Sequence, residues 1–182
     1  MGTPIKNYLI WCNIERNVMK SFLHLFNTDY PNIRVQTNNV RRVKVDELIN
    51  EEAWKDLLRE HFELLDRFEE SGLKGNFDDL DYWKTEYCNA PKGIKNSFVF
   101  RRINELYSLY KSIKDKGYIQ EKKKLVKAIW IENLIRRRKI KYGSRVTEKY
   151  YRLNGVRRLI ICKYRNIEEI PISLIKVKVV KL

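Results

Sequence analysis

Apolar residues recur along this chain at two different spacings, and the spacing divides it into elements. Ile14, Val18, Phe22, Leu25 and Phe26 predict a short helix over residues 13–27, broken by Asn27-Thr28-Asp29 and Pro31. Val40-Arg41-Arg42-Val43-Lys44-Val45 reads as β, with Asp46 placed to cap the next helix. Trp54, Leu58, His61, Leu65 and Phe68 fall at steps of 4, 3, 4 and 3 and predict an amphipathic helix over 51–70, ended by Ser71-Gly72. A polar connection over 71–81 comes next. The same steps join Val99, Ile103, Leu106, Tyr110 and Ile113 in a helix from about Ser97 to Lys116, with Gly117 as its C-cap.

The last third changes period. Leu125–Ile135, rich in Ile, Val and Trp, predicts a strand, and Arg136–Gly143 a basic turn. Thr147–Leu153 predicts a second strand that reaches Asn154-Gly155. A short helix over Val156–Tyr164, a loop over 166–169 and a strand over Ile170–Val180 with Pro171 near its start complete the chain. The pattern predicts an α+β (α/β) protein: a mostly helical N-terminal region, residues 1–91, packed on a small mixed-sheet domain, residues 92–182.

Charge sharpens this division. The 182 residues carry a formal net charge of +15. Residues 1–90 hold 12 Lys+Arg and 16 Asp+Glu, a net −4, whereas residues 91–182 hold 26 and 7, a net +19. The basic half suits a polyanion such as nucleic acid, nucleotide phosphate or an anionic membrane surface; it would equally serve as a solvated face or meet the acidic half. A hydrophobic share of 43% supports a packed core and argues against wholesale disorder. No apolar run reaches the 18 or so residues of a membrane span, and neither a signal peptide nor a myristoylation signal is expected. Cys12, Cys88 and Cys162 are odd in number and far apart, so a disulfide framework or cysteine zinc site is not expected, and a reducing, cytoplasmic setting is.

The chemistry concentrates at Asn154-Gly155-Val156-Arg157-Arg158. A strand ends in Asn-Gly and a helix starts at once with two arginines in its first turn. Free N–H groups and the positive dipole end at a helix start favour an anion, and glycine lets a backbone approach it. Arginine forks suit phosphate oxygens. The other reading is an ordinary turn whose arginines pair with Glu168 or Glu169.

These residues also resemble a family. The run YRLNGVRRLIICKYRNIEEIPISLIKV looks like the core of ParB-like/sulfiredoxin-fold domains: a strand, Asp/Asn-Gly-x-His/Arg-Arg-Leu opening a helix, a turn, and a strand beginning Ile-Pro-Val. RRINELYSLYKSIKDKGY is similar to an upstream helix of that family, and FDDLDYWKTEY to a stretch ahead of it; together they cover roughly residues 77–180. The resemblance implies a phosphate or nucleotide site at Asn154, Gly155, Arg157 and Arg158, with CTP or ATP/ADP plus Mg2+ as ligand and nucleic acid as partner. Members include partition proteins that bind and hydrolyse CTP, sulfiredoxin, a free-serine kinase and nuclease-like domains. Val156 stands where sulfiredoxin has its reactive cysteine, so that activity is not expected, and the glutamate of the partition-protein turn is missing. A small-molecule phosphotransferase or nucleotide hydrolase, and a structural adaptor, are the alternatives.

Further candidates are weaker. Lys122, Lys123, Lys124 and Lys127, then Arg136, Arg137, Arg138, Lys139 and Lys141, bracket a strand. With Trp130, Tyr142, Tyr150 and Tyr151 interleaved, they suit a nucleic-acid backbone and stacked bases, or simply solvated loops. Asp78, Asp79 and Asp81, with Glu86 near by in sequence, are candidate magnesium ligands or a solvated acidic loop; Asp79 and Asp81 are the metal candidates. Thr85 and Glu86 of WKTEY serve a ligand or a turn. His24 and His61 are too few for a multi-histidine metal site, and His61 falls on the apolar helix face as a core histidine. No HExxH, GxxxxGK[ST] or GxGxxG occurs.

Overall fold

A computed structural model of the chain describes residues 32–74, 96–118, 125–130 and 147–180. The expected helix over 13–27, the candidates at Asp78, Asp79, Asp81, Thr85 and Glu86, and the basic turn 136–143 lie outside the described residues. So does the predicted strand beyond Trp130.

The elements are β1 (Asn32–Lys44), a 3-10 turn (Val45–Leu48), α1 (Glu51–Ser71), a second 3-10 turn (Gly72–Lys74), α2 (Asn96–Lys116), β2 (Val126–Trp130), β3 (Tyr150–Arg152), α3 (Val156–Tyr164) and β4 (Glu169–Val180). The strands form one mixed sheet in the order β1-β4-β2-β3. β1 and β4 are antiparallel from Asn32↔Val180 to Lys44↔Glu169, with a register shift between Gln36 and Asn38. β2 runs parallel to β4 and antiparallel to β3. The α+β class is therefore observed. The two halves divided at residue 91 share this sheet, because β1 comes from the first and the other three strands from the second.

β1 is longer than the six residues its hydrophobic pattern marks, because pairing with β4 carries it back to Asn32. Asn50, not Asp46, caps α1: its side chain accepts from the Ala53 N–H at 3.2 Å. Asp46 instead accepts from Lys163 at the far end of α3, 2.8 Å away. α1 buries Trp54, His61, Leu65 and Phe68 as its spacing predicts, and Leu64 with them. It stops where Gly72 turns to φ 61°. α2 buries Ile103, Leu106, Tyr110 and Ile113 and is followed by Gly117 at φ 70°. β3 is shorter than expected. Thr147 folds back, its N–H donating to Tyr150 O at 2.9 Å and its hydroxyl to Glu47 O at 2.7 Å, so residues 147–149 form a turn.

The three described helices and the sheet share one core. Trp54, Leu64, Leu65, Ile103, Leu106, Leu159, Ile160 and Ile161 pack with Val126 and Ala128 of β2 and Ile170, Ile172 and Leu174 of β4. The intervening β4 residues Pro171, Ser173 and Ile175 are buried too, so this central strand is covered on both faces. Pro171 lies ahead of Ile172, where pairing with β2 begins, so its missing N–H costs that ladder nothing. His61 is a core residue, its Nδ1 2.9 Å from Leu57 O. Cys162 is also fully buried, and burial pushes its thiol up to about 12, which removes it as a nucleophile.

One carboxylate ties the helices together at their polar ends. Glu69 of α1 accepts from Tyr110 and Lys114 of α2 and, at 3.2 Å, from Arg165 just after α3. Hydrogen bonds from Lys114 and Tyr110 hold its carboxyl below the ordinary glutamate value of 4.5. A depressed folded-state pKa contributes stability that is complete above the unfolded value and is lost as pH falls through the folded one. Glu69→Gln should therefore flatten the decline of stability below pH 4.5, measured by urea unfolding between pH 6 and 3. Parallel curves for wild type and variant would remove Glu69 as its source.

Candidate functional site

The strand–turn–helix unit expected around Asn154 is present as β3, the Asn154-Gly155 turn and α3. Asn154 is exposed, but its side chain has work in the sheet. Oδ1 accepts from the Lys127 N–H at 2.8 Å, while the Leu153 N–H donates to Lys127 O at 2.9 Å. The side chain thus adds one more hydrogen bond to the β2–β3 ladder beyond the end of β3.

Gly155 is the N-cap of α3, at φ 88° and ψ 17°, and as a glycine it has no side chain of its own to cap the helix. A Cβ at this position would stand 2.6 Å from Cγ2 of Val126. A close approach that demands glycine is thus made to β2. Leu159 N–H donates to Gly155 O at 3.0 Å, and by helix geometry the amides before it have no acceptor inside α3.

The two arginines separate. Arg157 turns toward α2, its Nη1 3.8 Å from Oε2 of Glu105. Glu168 and Glu169 do not take this role; Glu169 pairs with Arg42 of β1 at 3.6 Å. Glu105 is also 2.9 Å from Nη1 of Arg102 and 3.9 Å from Nε of Arg101. The hydrogen bond from Arg102, only partly opposed by desolvation, holds its carboxyl below the ordinary glutamate range. Arg158 is half-buried and lies toward Tyr118 and Cys162, where its charge favours their ionised forms. The Tyr118 hydroxyl in turn accepts from the Val126 N–H at 3.1 Å.

Arg101, Arg102 and Glu105 are the residues that sequence spacing does not flag as a site. Their i,i+3 and i,i+4 relation is visible along the chain. Their approach to Arg157, fifty residues away, is not.

Other candidates fare differently. Tyr150 and Tyr151 are buried, so neither offers an open face for stacking a base, and Trp130 is half-buried against the core. Lys127 is half-buried in β2. Lys123, Lys124, Arg136, Arg137, Arg138, Lys139, Asp79 and Asp81 lie outside the described residues. Among the described residues no group of three acidic, histidine or cysteine side chains is arranged to hold a metal, and no helix is long and apolar enough to cross a membrane.

A cleft of about 740 Å³ opens elsewhere, between the 3-10 turn, the start of α1 and the 147–149 turn. Asp46, Glu47, Glu51, Glu52 and Glu148 line it, so it repels the anion expected at α3. Much of that acidity is matched internally: Lys163 holds Asp46 and Glu51, and Lys149 holds Glu47 at 2.5 Å.

The described geometry thus brings three arginines and one glutamate together where α2 meets the start of α3. Comparison with protein-family models, with curated proteins and with solved structures finds no match to this chain.

Proposed function

We propose that this protein binds phosphate groups at the start of α3, in a nucleotide such as CTP or ATP/ADP with Mg2+, and works with nucleic acid through its basic half, as a ParB-like domain. One observation carries the reading: the guanidinium groups of Arg101, Arg102 and Arg157 converge from two helices on Glu105, beside the start of α3, whose N-cap is a glycine at φ 88°. An anion there meets both guanidinium forks and backbone N–H groups. The strand–turn–helix–strand order that carries the family resemblance agrees with it. Binding is favoured over phosphoryl transfer because Glu105, the carboxylate at this place, is held below its ordinary range and is a weak base.

The test is a thermal-shift and titration series with CTP, ATP and ADP, each with Mg2+, and with a DNA oligonucleotide. A ligand that binds only the folded state adds about 2.7 kcal/mol of stability at a hundredfold excess over its dissociation constant. Replacing both Arg157 and Arg158 by alanine should weaken binding at least tenfold, since a charge-assisted hydrogen bond contributes roughly 1.5–3 kcal/mol. Oligonucleotide affinity should also fall steeply with salt. Unchanged affinity in the double variant would sink the assignment.

A further inference from the structure

Glu105 sits where an incoming anion would sit. Its Oε2 faces Nη1 of Arg102 at 2.9 Å and Nη1 of Arg157 at 3.8 Å, and its Oε1 faces Nε of Arg101 at 3.9 Å. Carboxylate and phosphate oxygens take the same donors from a guanidinium fork. While those donors face Glu105 they are not open to a ligand.

We infer that Glu105 is a tethered competitor for the phosphate site, which excludes singly charged anions and yields to ligands carrying several charges. The inference rests on the phosphate-binding reading above and adds its selectivity. A carboxylate fixed to α2 meets Arg102 and Arg157 at a high effective concentration, so a free monoanion gains nothing by replacing it. A polyphosphate, or successive phosphodiesters along a strand, brings enough charge to displace it. Displacement is feasible because the Glu105 side chain is 46% exposed, so its carboxylate turns out to water without unburying a charge. Arg101, 64% exposed at its side chain, can swing with the ligand. Of the three pairs, only that with Arg157 spans α2 and α3, so ligand binding also exchanges this ion pair between the helices.

The experiment uses the full chain and three probes: inorganic pyrophosphate, CTP with Mg2+, and a fluorescein-labelled single-stranded oligonucleotide. Glu105→Gln keeps the shape of the side chain and removes its charge. It should bind whichever probe the wild type binds about four- to sixteenfold more tightly, the size expected for deleting one charge at about 5 Å in water from a ligand of one to two charges. The probe that responds separates a nucleotide from a nucleic-acid source. Glu63→Gln, an exposed carboxylate on α1, makes the same change in net charge and should leave affinity unaltered. An equal gain from Glu63→Gln, or wild-type affinity in Glu105→Gln, overturns the competitor role and leaves the phosphate site standing. If neither wild type nor Glu105→Gln binds any probe, the phosphate site itself falls.

Discussion

Gly155→Ala is expected to destabilise the fold by about 2–5 kcal/mol, two effects acting together. The residue stands at φ 88°, where a side chain costs roughly 1–2 kcal/mol. The new methyl would meet Cγ2 of the fully buried Val126 at 2.6 Å, and overpacking of this kind costs about 1–3 kcal/mol. For a chain of this length that lowers the melting temperature by roughly 10 °C. Thermal or urea unfolding measures it. Combining the change with Val126→Ala relieves the contact but not the backbone, so the double variant should lose less than the sum of the two single losses. A Gly155→Ala protein as stable as wild type would show that β2 yields easily and that the close packing of the turn on Val126 is unimportant.

Trp54→Ala is expected to cost about 3–5 kcal/mol, the range for removing a large buried aromatic ring. Trp54 is 1% exposed on the core face of α1, and the Arg152 guanidinium lies over its ring, 4.0 Å from the centroid. Arg152 is itself buried in β3. A cation over an aromatic face contributes about 2 kcal/mol or more once both are out of water. The ring therefore fills space and faces a charge that few neighbours tolerate. Trp54→Phe keeps a face for the cation, whereas Trp54→Leu keeps only the apolar character. The leucine variant should thus be the less stable of the two in equilibrium unfolding. Equal stability of the two would assign the whole effect to packing. Against the roughly 5–15 kcal/mol that holds a typical domain folded, the alanine variant loses a large share.

Helices α1 and α2 were legible because each buries one stripe at a period near 3.6, and a local pattern reports a local structure. The ends of these helices were legible too, since Gly72 and Gly117 supply positive φ at small steric cost. β1 was legible only in part. Residues 40–45 look like a strand, but the reach back to Asn32 depends on β4, more than a hundred residues further on. Asp46 and Asn50 are both good caps by residue type. Which of them caps α1 depended on the 3-10 turn placed between them and on Lys163, which draws Asp46 away.

The candidate site divides in the same way. Asn154, Gly155, Arg157 and Arg158 mark a turn into a helix by composition alone, and that turn is where the structure has it. Their neighbours were not legible. Gly155 makes its close approach to Val126, Asn154 completes a ladder with Lys127, and Arg157 meets Glu105; each partner comes from a distant element.

By itself, then, the order of residues determined the types of the three described helices and the central parts of the strands, the α+β class, the opposition of an acidic and a strongly basic half, and the strand–turn–helix unit. All of these follow from propensity, period and charge counted over neighbouring residues. Only the tertiary structure decided that β1 closes the sheet on β4 across the two halves, that Tyr150 and Tyr151 are buried rather than offered to bases, and that three arginines from two helices share one glutamate. Such contacts depend on how the core brings the backbones of α2, α3 and the sheet together, and no local pattern encodes that distance.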